Sequence, residues 1–287
     1  MRLPERVQRT PPEDLRSMCY PAERPGGLTG RGSASVPSEA SCMKLTCLCV
    51  CFVAALLCND LLAADTAQNI LHQADQARGN LEGVAWDVAV ESIENNKTEN
   101  VTFDIKARGF DIFGDTIAPA KSKGNKLLML HGNMWFYKPG LSRPVPISRR
   151  QRLLGNAVYG DIAATNYADE YEATPLADDS VDGEDCYVFD LKSKGKNTTY
   201  DRIKYWVSKA HVVGVKAEYF TVSGKRFKSS TMEYAHTVEI NGQAHPFISK
   251  IVIYDELMSN NTTTLLLRHP HLERLPDYIF DLNLLTK

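Results

Sequence analysis

Apolar and polar side chains alternate with a period of two along most of the chain after residue 84, which predicts β-strands with one buried face. The first two strands carry apolar residues at Val84, Trp86, Val88 and Val90, and then at Val101, Phe103, Ile105 and Ala107. Two short apolar runs follow at residues 127–130 and 134–137. The pattern predicts further strands over residues 110–119, 169–176, 186–191, 202–207, 212–222, 227–234, 247–255 and 262–267.

Glycine-containing pairs mark the tight turns between these strands. Asp182-Gly183, Ser223-Gly224 and Asn241-Gly242 are typical of two-residue hairpins, because glycine and asparagine accept the positive φ angles that such turns need. His131-Gly132-Asn133 predicts another hairpin between the two short apolar runs. We predict short helical turns at residues 151–157 and 160–165, and a short helix or strand at residues 276–285.

Residues 66–78 have helical rather than alternating periodicity. Asp65 or Thr66 can cap the start of this helix, and Gly79 ends it. We therefore predict an α+β fold, in which a single strongly curved antiparallel sheet forms a half-open, unclosed β-barrel of about ten or eleven strands. The N-terminal helix and short helices would cap its concave side. The apolar face of the helix consists of Ile70, Leu71, Ala74 and Ala77.

The first 64 residues differ from the rest of the chain. Residues 1–42 hold six of the 14 prolines and little apolar periodicity, which predicts a disordered extension. Residues 43–64 have the basic start, short apolar run and small-residue end of a secretory signal peptide. Because signal peptides normally begin a chain, we expect Met43 to be the true initiator and residues 65–287 to be the folded domain. A cytoplasmic tail before a signal anchor is the alternative.

Cysteine usage agrees with an exported domain that holds itself together by its core. Of seven cysteines, Cys186 alone follows residue 64, so we expect no intrachain disulfide in the folded domain. Lipid anchoring at Cys58 is disfavoured, because Leu57 stands where an acylation box has a small residue.

The sequence offers little support for catalysis, metal binding or nucleic-acid binding. Residues 65–287 hold 26 basic and 29 acidic residues, so nucleic acid is not an expected partner. His269 and His271 flank a proline in a polar loop, where histidines are more often solvated than bound to metal. The acidic stretch at residues 178–185 fails as a calcium loop, because Phe189 occupies its twelfth position. We expect no metal, no cofactor and no enzymatic activity.

The inward face of the predicted sheet is rich in aromatic residues and methionine, which adapt to irregular acyl chains. An ordinary filled core is the alternative interpretation. The candidate lipid-contacting residues are Trp86, Val88, Phe103, Ile105, Met129, Met134, Phe136, Tyr205 and Tyr219.

Four arginines follow the 134–137 strand, close to two prolines. We interpret Arg143, Arg149, Arg150 and Arg152 as part of a flap, ordered by bonds to backbone carbonyls or to a lipid headgroup phosphate. A solvated basic loop is the alternative.

Residues 129–162 closely resemble the outer-membrane lipoprotein-sorting protein family of bacterial envelopes, relatives of the periplasmic lipoprotein carrier LolA. The resemblance extends over most of residues 65–287. It is carried by the helix at 69–78 with its terminal glycine, and by the segments Met134-Trp135-Phe136-Tyr137-x-Pro-Gly-Leu, Gln151-Arg152-Leu153-Leu154-Gly155-Asn156 and Gly183-Glu184-Asp185-Cys186-Tyr187-Val188.

The resemblance implies an unclosed antiparallel barrel with a hydrophobic cavity for acyl chains. It further implies a periplasmic, monomeric carrier that moves lipid or lipoprotein towards the outer membrane, with an inner-membrane transporter or an outer-membrane receptor as partner. An envelope sensor or transporter accessory module of the same fold is the first alternative. A lipid-acting enzyme that uses a dispersed Asp/His pair is the second.

Overall fold

The structure is a computed structural model that describes residues 66–258 and 260–286. The predicted extension and signal peptide lie outside these ranges. Helix α1 spans residues 66–76 and helix α2 spans Tyr167–Glu170. Within the described ranges, no helix has the length and apolar character needed to cross a membrane. Short 3₁₀ turns cover Ala120–Ser122, Tyr159–Asp161, Asp277–Phe280 and Leu282–Leu284.

The described residues contain eighteen strands. They are β1 (Glu82–Glu94), β2 (Lys97–Arg108), β3 (Asp111–Ala118), β4 (Lys126–Leu130), β5 (Asn133–Tyr137), β6 (Val145–Ile147), β7 (Arg152–Leu154), β8 (Ala157–Val158), β9 (Tyr171–Pro175), β10 (Asp179–Val181), β11 (Glu184–Ser193), β12 (Arg202–Ser208), β13 (Gly214–Phe220), β14 (Arg226–Glu233), β15 (His236–Ile240), β16 (Gln243–Phe247), β17 (Lys250–Asp255) and β18 (Thr262–Leu272).

Fourteen strands form one antiparallel sheet in the order β10-β11-β12-β13-β14-β17-β18-β1-β2-β3-β4-β5-β6, with β9 also paired to β11. The end strands β6 and β10 do not pair with each other, so the sheet stays open. This confirms the predicted half-open antiparallel architecture. The predicted count of ten or eleven strands is too low, because three-residue strands such as β6 and β10 are too short to show alternation.

The centre of the sheet joins the two ends of the folded domain. Strand β1 pairs with β2 on one side and with β18 on the other, so that Val90 lies between Val101 and Leu265. The alternating apolar side chains of β1 and β2 point into one continuous core cluster. The period-two pattern therefore located this buried face correctly.

Three of the four predicted hairpin turns are confirmed by backbone geometry, whereas Ser223-Gly224 lies in a five-residue loop between β13 and β14, where Gly224 has positive φ and Ser223 does not. Two-residue turns of this kind need positive φ at both central positions, and glycine at the second position accepts it without strain. The φ angles are +49° and +77° at His131 and Gly132, +52° and +85° at Asp182 and Gly183, and +51° and +78° at Asn241 and Gly242.

Three local predictions are corrected by the structure. Residues 151–157 contain the hairpin β7–β8 rather than a helical turn, since Gly155 at φ +56° turns the chain back on itself. Residues 160–165 contain only the end of a 3₁₀ turn. The strand predicted from residue 169 begins at Tyr171, because α2 occupies the preceding four residues. In each case contacts with distant strands override a weak local pattern.

The C-terminal segment forms two 3₁₀ turns where a short helix or strand was predicted. Leu275, Phe280 and Leu285 pack with Leu128 in a second, smaller core cluster. Leu128 lies between Leu127 and Met129, which belong to the main cluster, so the C-terminal segment covers the opposite face of the sheet. Part of both faces is therefore buried.

The central position of β18 generates a test of the fold. We expect Leu265→Ala to lower the free energy of unfolding by about 2–5 kcal/mol, because it removes a fully buried side chain between β1 and β17. The same change at Leu257, in the exposed β17–β18 turn, should alter it by less than about 0.5 kcal/mol. Urea unfolding measures both, and equal losses would contradict this placement of the core.

Candidate functional site

The β7–β8 hairpin, residues 152–158, is a flap that lies over the end of β1 and the start of β18. Its turn at Gly155 fits against Ser92 and Thr263, and a Cβ added there would lie 2.1 Å from Ser92 Oγ and 2.3 Å from Thr263 Oγ1. The backbone N–H of Asn156 donates to Thr263 Oγ1 at 2.8 Å. Only glycine permits this close approach, so Gly155 allows the flap to pack against Ser92 and Thr263.

A cavity of about 410 Å³ lies between the flap and strands β2 and β3. This volume falls in the range of small-ligand sites, about 300–1,000 Å³. Half of the residues that line it are polar, and the exposed Thr98, Glu99 and Lys121 place polar groups at its mouth. The apolar wall consists of Val101, Phe103, Phe136, Leu153, Leu154 and Tyr159.

Arg149, three residues before the flap, is the most buried of the arginines that latch the flap in place, with 5% of its surface exposed. Its guanidinium makes two bonds to the Glu170 carboxylate, Nη1 to Oε2 at 2.9 Å and Nη2 to Oε1 at 2.6 Å. It also donates from Nε to the Asn197 carbonyl at 2.7 Å and stacks over the Phe110 ring. A paired, bidentate guanidinium of this kind is a strong and directional contact.

Two further arginines tie the flap to other elements. Arg150 pairs with Asp201 at 2.8 Å and donates to the Thr198 carbonyl at 2.8 Å. Arg152 pairs with Glu94 at the end of β1, at 2.6 Å. Both pairs are partly exposed, so each contributes less than the buried Arg149 pair. Arg143, the fourth predicted flap residue, is exposed and makes no ion pair within the described residues.

The nine candidate lipid-contacting residues divide into two groups. Phe103 and Phe136 line the cavity beneath the flap, and Met134 lines a neighbouring cleft of about 430 Å³. The other six pack against one another and their neighbours in the main core cluster, each at most 2% exposed. Their role in lipid contact stays a prediction. These six residues are Trp86, Val88, Ile105, Met129, Tyr205 and Tyr219.

The interior also holds a charged group that sequence reasoning missed. Lys228 of β14, 4% exposed, contacts the Tyr200 hydroxyl and pairs with Asp161 at 2.8 Å. Tyr200 donates to the other oxygen of Asp161 at 2.7 Å. Burial lowers the pKa of the Lys228 ammonium, and the Asp161 carboxylate opposes this shift. The pair therefore fixes the 3₁₀ turn after the flap to the inner face of the sheet.

A second buried polar group lies where α1 meets α2. Asp75 accepts a hydrogen bond from the Ala168 backbone N–H at 2.9 Å, and Asn80 donates to the Thr165 carbonyl at 2.9 Å. Arg78 packs over the Tyr167 ring, 5.4 Å from its centroid. Burial raises the pKa of Asp75 to about 6, although hydrogen bonds and the nearby Arg78 charge oppose the rise.

The signals for these buried polar residues were present in the sequence. Asp75 follows Leu71 at a helical spacing of four, which places it on the inward face of α1, and Arg78 lies in the turn directly after the helix. Lys228 precedes the buried Ser230 and Met232 at period two on β14. A charged residue on a buried face indicates a paired interior group, and the partner cannot be identified without the fold.

The remaining candidate chemistry is dispersed. His269 contacts Asp87 at 3.0 Å, and both His269 and His271 are exposed. Among residues 66–258 and 260–286, no group of three His, Cys, Asp or Glu side chains is arranged to hold a metal ion. Cys186 is buried as a free thiol.

Comparison with known proteins identifies the family. A LolA superfamily protein of Nitrosomonas europaea matches at 30% identity, covering 75% of this chain and 97% of that one with a TM-score of 0.67. The chain belongs to the LolA superfamily. A model of a family described as an uncharacterized protein matches residues 114–287 of this LolA-superfamily chain. No curated protein sequence matches it.

The same fold occurs in a domain from Vibrio parahaemolyticus described as an outer membrane lipoprotein-sorting protein. That domain is 17% identical, and the match covers 78% of this chain and all of that one with a TM-score of 0.66. At this identity the likeness concerns the fold. The structure of this LolA-superfamily chain is therefore an open antiparallel sheet with a latched flap over a partly apolar cavity.

The seat of the flap generates a prediction about Gly155. We expect Gly155→Ala to lift the flap, because the new methyl group collides with Ser92 and Thr263. Trypsin should then cut faster after Arg152, and the Asn156 amide should exchange faster. Gly183→Ala is the matched control, since Gly183 also has positive φ but open space around its Cβ position. Equal effects of the two changes on the flap would contradict the seating.

The buried carboxyl at Asp75 generates a prediction about pH. Its pKa is raised in the folded state, so between about pH 4 and pH 6 the folded protein binds more protons than the unfolded chain. Stability from this group is present below about pH 4 and is lost as the pH rises through about 6. We expect Asp75→Asn to gain about 2–3 kcal/mol relative to the native protein between pH 4 and pH 7.

Urea unfolding of both proteins across this pH range measures the difference, in which the other carboxyl groups cancel. Parallel pH dependence in the two proteins would show that Asp75 titrates normally in the fold.

Proposed function

We propose that this protein is a periplasmic carrier that shields an acyl chain of a lipid or lipoprotein in the cavity beneath the flap. The observation that carries the proposal is the cavity of about 410 Å³, which has aromatic and leucine side chains on one wall. The β7–β8 hairpin covers this cavity and lies over a LolA-superfamily sheet. Export by the predicted signal peptide, and exchange with an inner-membrane transporter or an outer-membrane receptor, are parts of the same proposal.

The energetics require the flap to move. Each buried methylene contributes about 0.8 kcal/mol, so a segment of about six methylenes contributes about 5 kcal/mol before the costs of association. That corresponds to holding in the submillimolar range. Tighter binding of an acyl chain needs more apolar protein surface than the cavity offers. Lifting the flap would supply it, because the buried core residues that lie behind Phe103 would be exposed.

The latches are suited to a flap that opens and recloses. The outer pairs of Arg150 and Arg152 are partly exposed and each is worth about 1 kcal/mol or less. The Arg149–Glu170 pair is more deeply buried and costs more to break. When the outer pairs break and the Arg149–Glu170 pair stays intact, the flap remains attached at its Arg149 end. It can then close again over an acyl chain.

Binding and transfer need no covalent step. The buried Lys228–Asp161–Tyr200 group resembles an acid–base constellation, but it is enclosed by the core and joins the turn after the flap to the sheet. This enclosure supports a structural rather than a catalytic assignment for these three residues.

The experiment is native mass spectrometry with lipid extraction on protein purified from the expressing cells, followed by titration with a fluorescent fatty acid. We expect a co-purifying acylated species, and saturable uptake of the probe. Val101→Trp should abolish uptake, because the indole would fill the cavity between β2 and the flap. Ile117→Trp is the matched control, since Ile117 is exposed and adjoins the inward-facing Thr116 on the neighbouring strand.

A protein that carries no lipid and takes up no probe would refute the carrier. Uptake that survives Val101→Trp would place the acyl chain elsewhere in the fold.

A further inference from the structure

Charge is distributed very unevenly along this chain. Residues 116–160 contain eight basic residues and neither aspartate nor glutamate, although the whole chain has a net charge of −2. The rest of the chain therefore carries a net charge of −10. The basic residues are Lys121, Lys123, Lys126, Lys138, Arg143, Arg149, Arg150 and Arg152.

The structure separates these cations into two sets. The last three arginines latch the flap and are paired with carboxylates, and Lys126 lies opposite Asp115 across the sheet. The other four are exposed and form no ion pair within residues 66–258 and 260–286. They are Lys121 and Lys123 in the β3–β4 loop, and Lys138 and Arg143 in the β5–β6 loop.

These two basic loops lie side by side. A Cβ added to Gly124 in the first would lie 3.4 Å from the Pro139 ring in the second. Both loops leave the sheet at the same end. The register shows this, because Lys126 at the start of β4 pairs with Asp115 near the end of β3 and with Tyr137 at the end of β5. Lys121 also lines the cavity beneath the flap. The basic surface therefore adjoins the mouth of that cavity.

Two other turns at this end of the sheet expose apolar side chains. The strand registers place the β13–β14 and β17–β18 turns at this end, and Arg226 joins them by pairing with Glu256 at 2.8 Å. Val222 is 87% exposed, Leu257 64% and Met258 60%. Leu141, in a basic loop, is 40% exposed. We call residues 119–125, 138–144, 221–225 and 256–258 the loop rim.

We propose that the loop rim docks on the surface of an anionic lipid bilayer. Unpaired lysines attract anionic headgroups, and each contributes about a fivefold gain in affinity near such a surface. Apolar side chains at the tips of turns, exposed in water, can insert among the acyl chains at the interface. Docking through this end would present the mouth of the flap cavity to the bilayer. Bilayer docking goes beyond acyl-chain holding, since either property can exist without the other.

The test is co-sedimentation of the purified protein with vesicles of equal parts phosphatidylglycerol and phosphatidylcholine, and with vesicles of phosphatidylcholine alone. We expect binding to the anionic vesicles only. This binding should weaken steeply between 0.05 and 0.5 M salt, because the Debye length, about 10 Å at 0.1 M, shortens as salt is added. The triple variant Lys123→Gln, Lys138→Gln, Arg143→Gln should lose about a hundredfold in affinity. The matched control is Lys192→Gln, Arg268→Gln, Arg274→Gln, three exposed cations outside the loop rim that form no ion pair within the part of the chain that the structure describes.

A second variant separates insertion from charge attraction. Val222→Ser with Leu257→Ser should weaken binding about tenfold or more at every salt concentration, because it removes apolar surface and leaves the charge unchanged. Uptake of the fluorescent fatty acid should be unchanged in both rim variants, so failure of docking is distinguishable from failure of the carrier function.

Equal losses in the rim variant and the control would overturn the inference, since net charge alone would then explain binding. Absence of binding to anionic vesicles at low salt would also overturn it, and would leave the basic loops to an acidic protein surface instead.

Discussion

The pairing of β1 with β18 is the contact on which the rest of the structure depends. It joins the first described strand to the last, and so connects the two halves of one sheet of fourteen strands. Without it, β1 on one half and β18 on the other would each be an unpaired edge beside a half-covered apolar face, which is unstable in water. The contact is also non-local, so its chain-closure cost must be met by the core that it creates. Leu265 and Val90 at its centre belong to that core.

A curved sheet that does not close leaves its inner face open on one side. Here a segment of the chain covers that side, and polar contacts hold the segment in place. Two buried ion pairs, Lys228 with Asp161 and Arg149 with Glu170, and a buried hydrogen bond from the Ala168 N–H to Asp75 hold residues 149–168 in place. Buried ion pairs add little net stability compared with apolar packing, but removing one partner is costly, so they restrict this segment to one position. The position of the flap therefore follows from interior charge as much as from hydrophobic contact.

The same geometry relates the cavity to the loop rim. The flap lies over the ends of β1 and β18, the cavity opens between it and β2, and the basic loops leave the sheet at that end. Salt-sensitive attraction at the loops and apolar contact inside the cavity are different interactions with different ranges. Charge can act over about 10 Å at moderate salt, whereas burial of methylenes requires direct contact. Approach and holding can thus be assigned to separate residues of one surface.

Strand periodicity, turn pairs and the resemblance of residues 129–162 were sufficient to predict an open antiparallel sheet of this family, with helix α1 beside it. They were sufficient because the alternation of Val84 to Val90 and the positive-φ pairs such as Asp182-Gly183 are properties of adjacent residues. They also indicated that Arg149 to Arg152 belong to a flap. Sequence could not show that Gly155 turns a hairpin, that Phe136 lines a cavity while Val88 fills the core, or that Arg149 is latched while Arg143 forms no ion pair within the described residues. Those differences depend on residues far apart in the chain, such as Thr263 and Glu170, and only tertiary packing decides which of them meet.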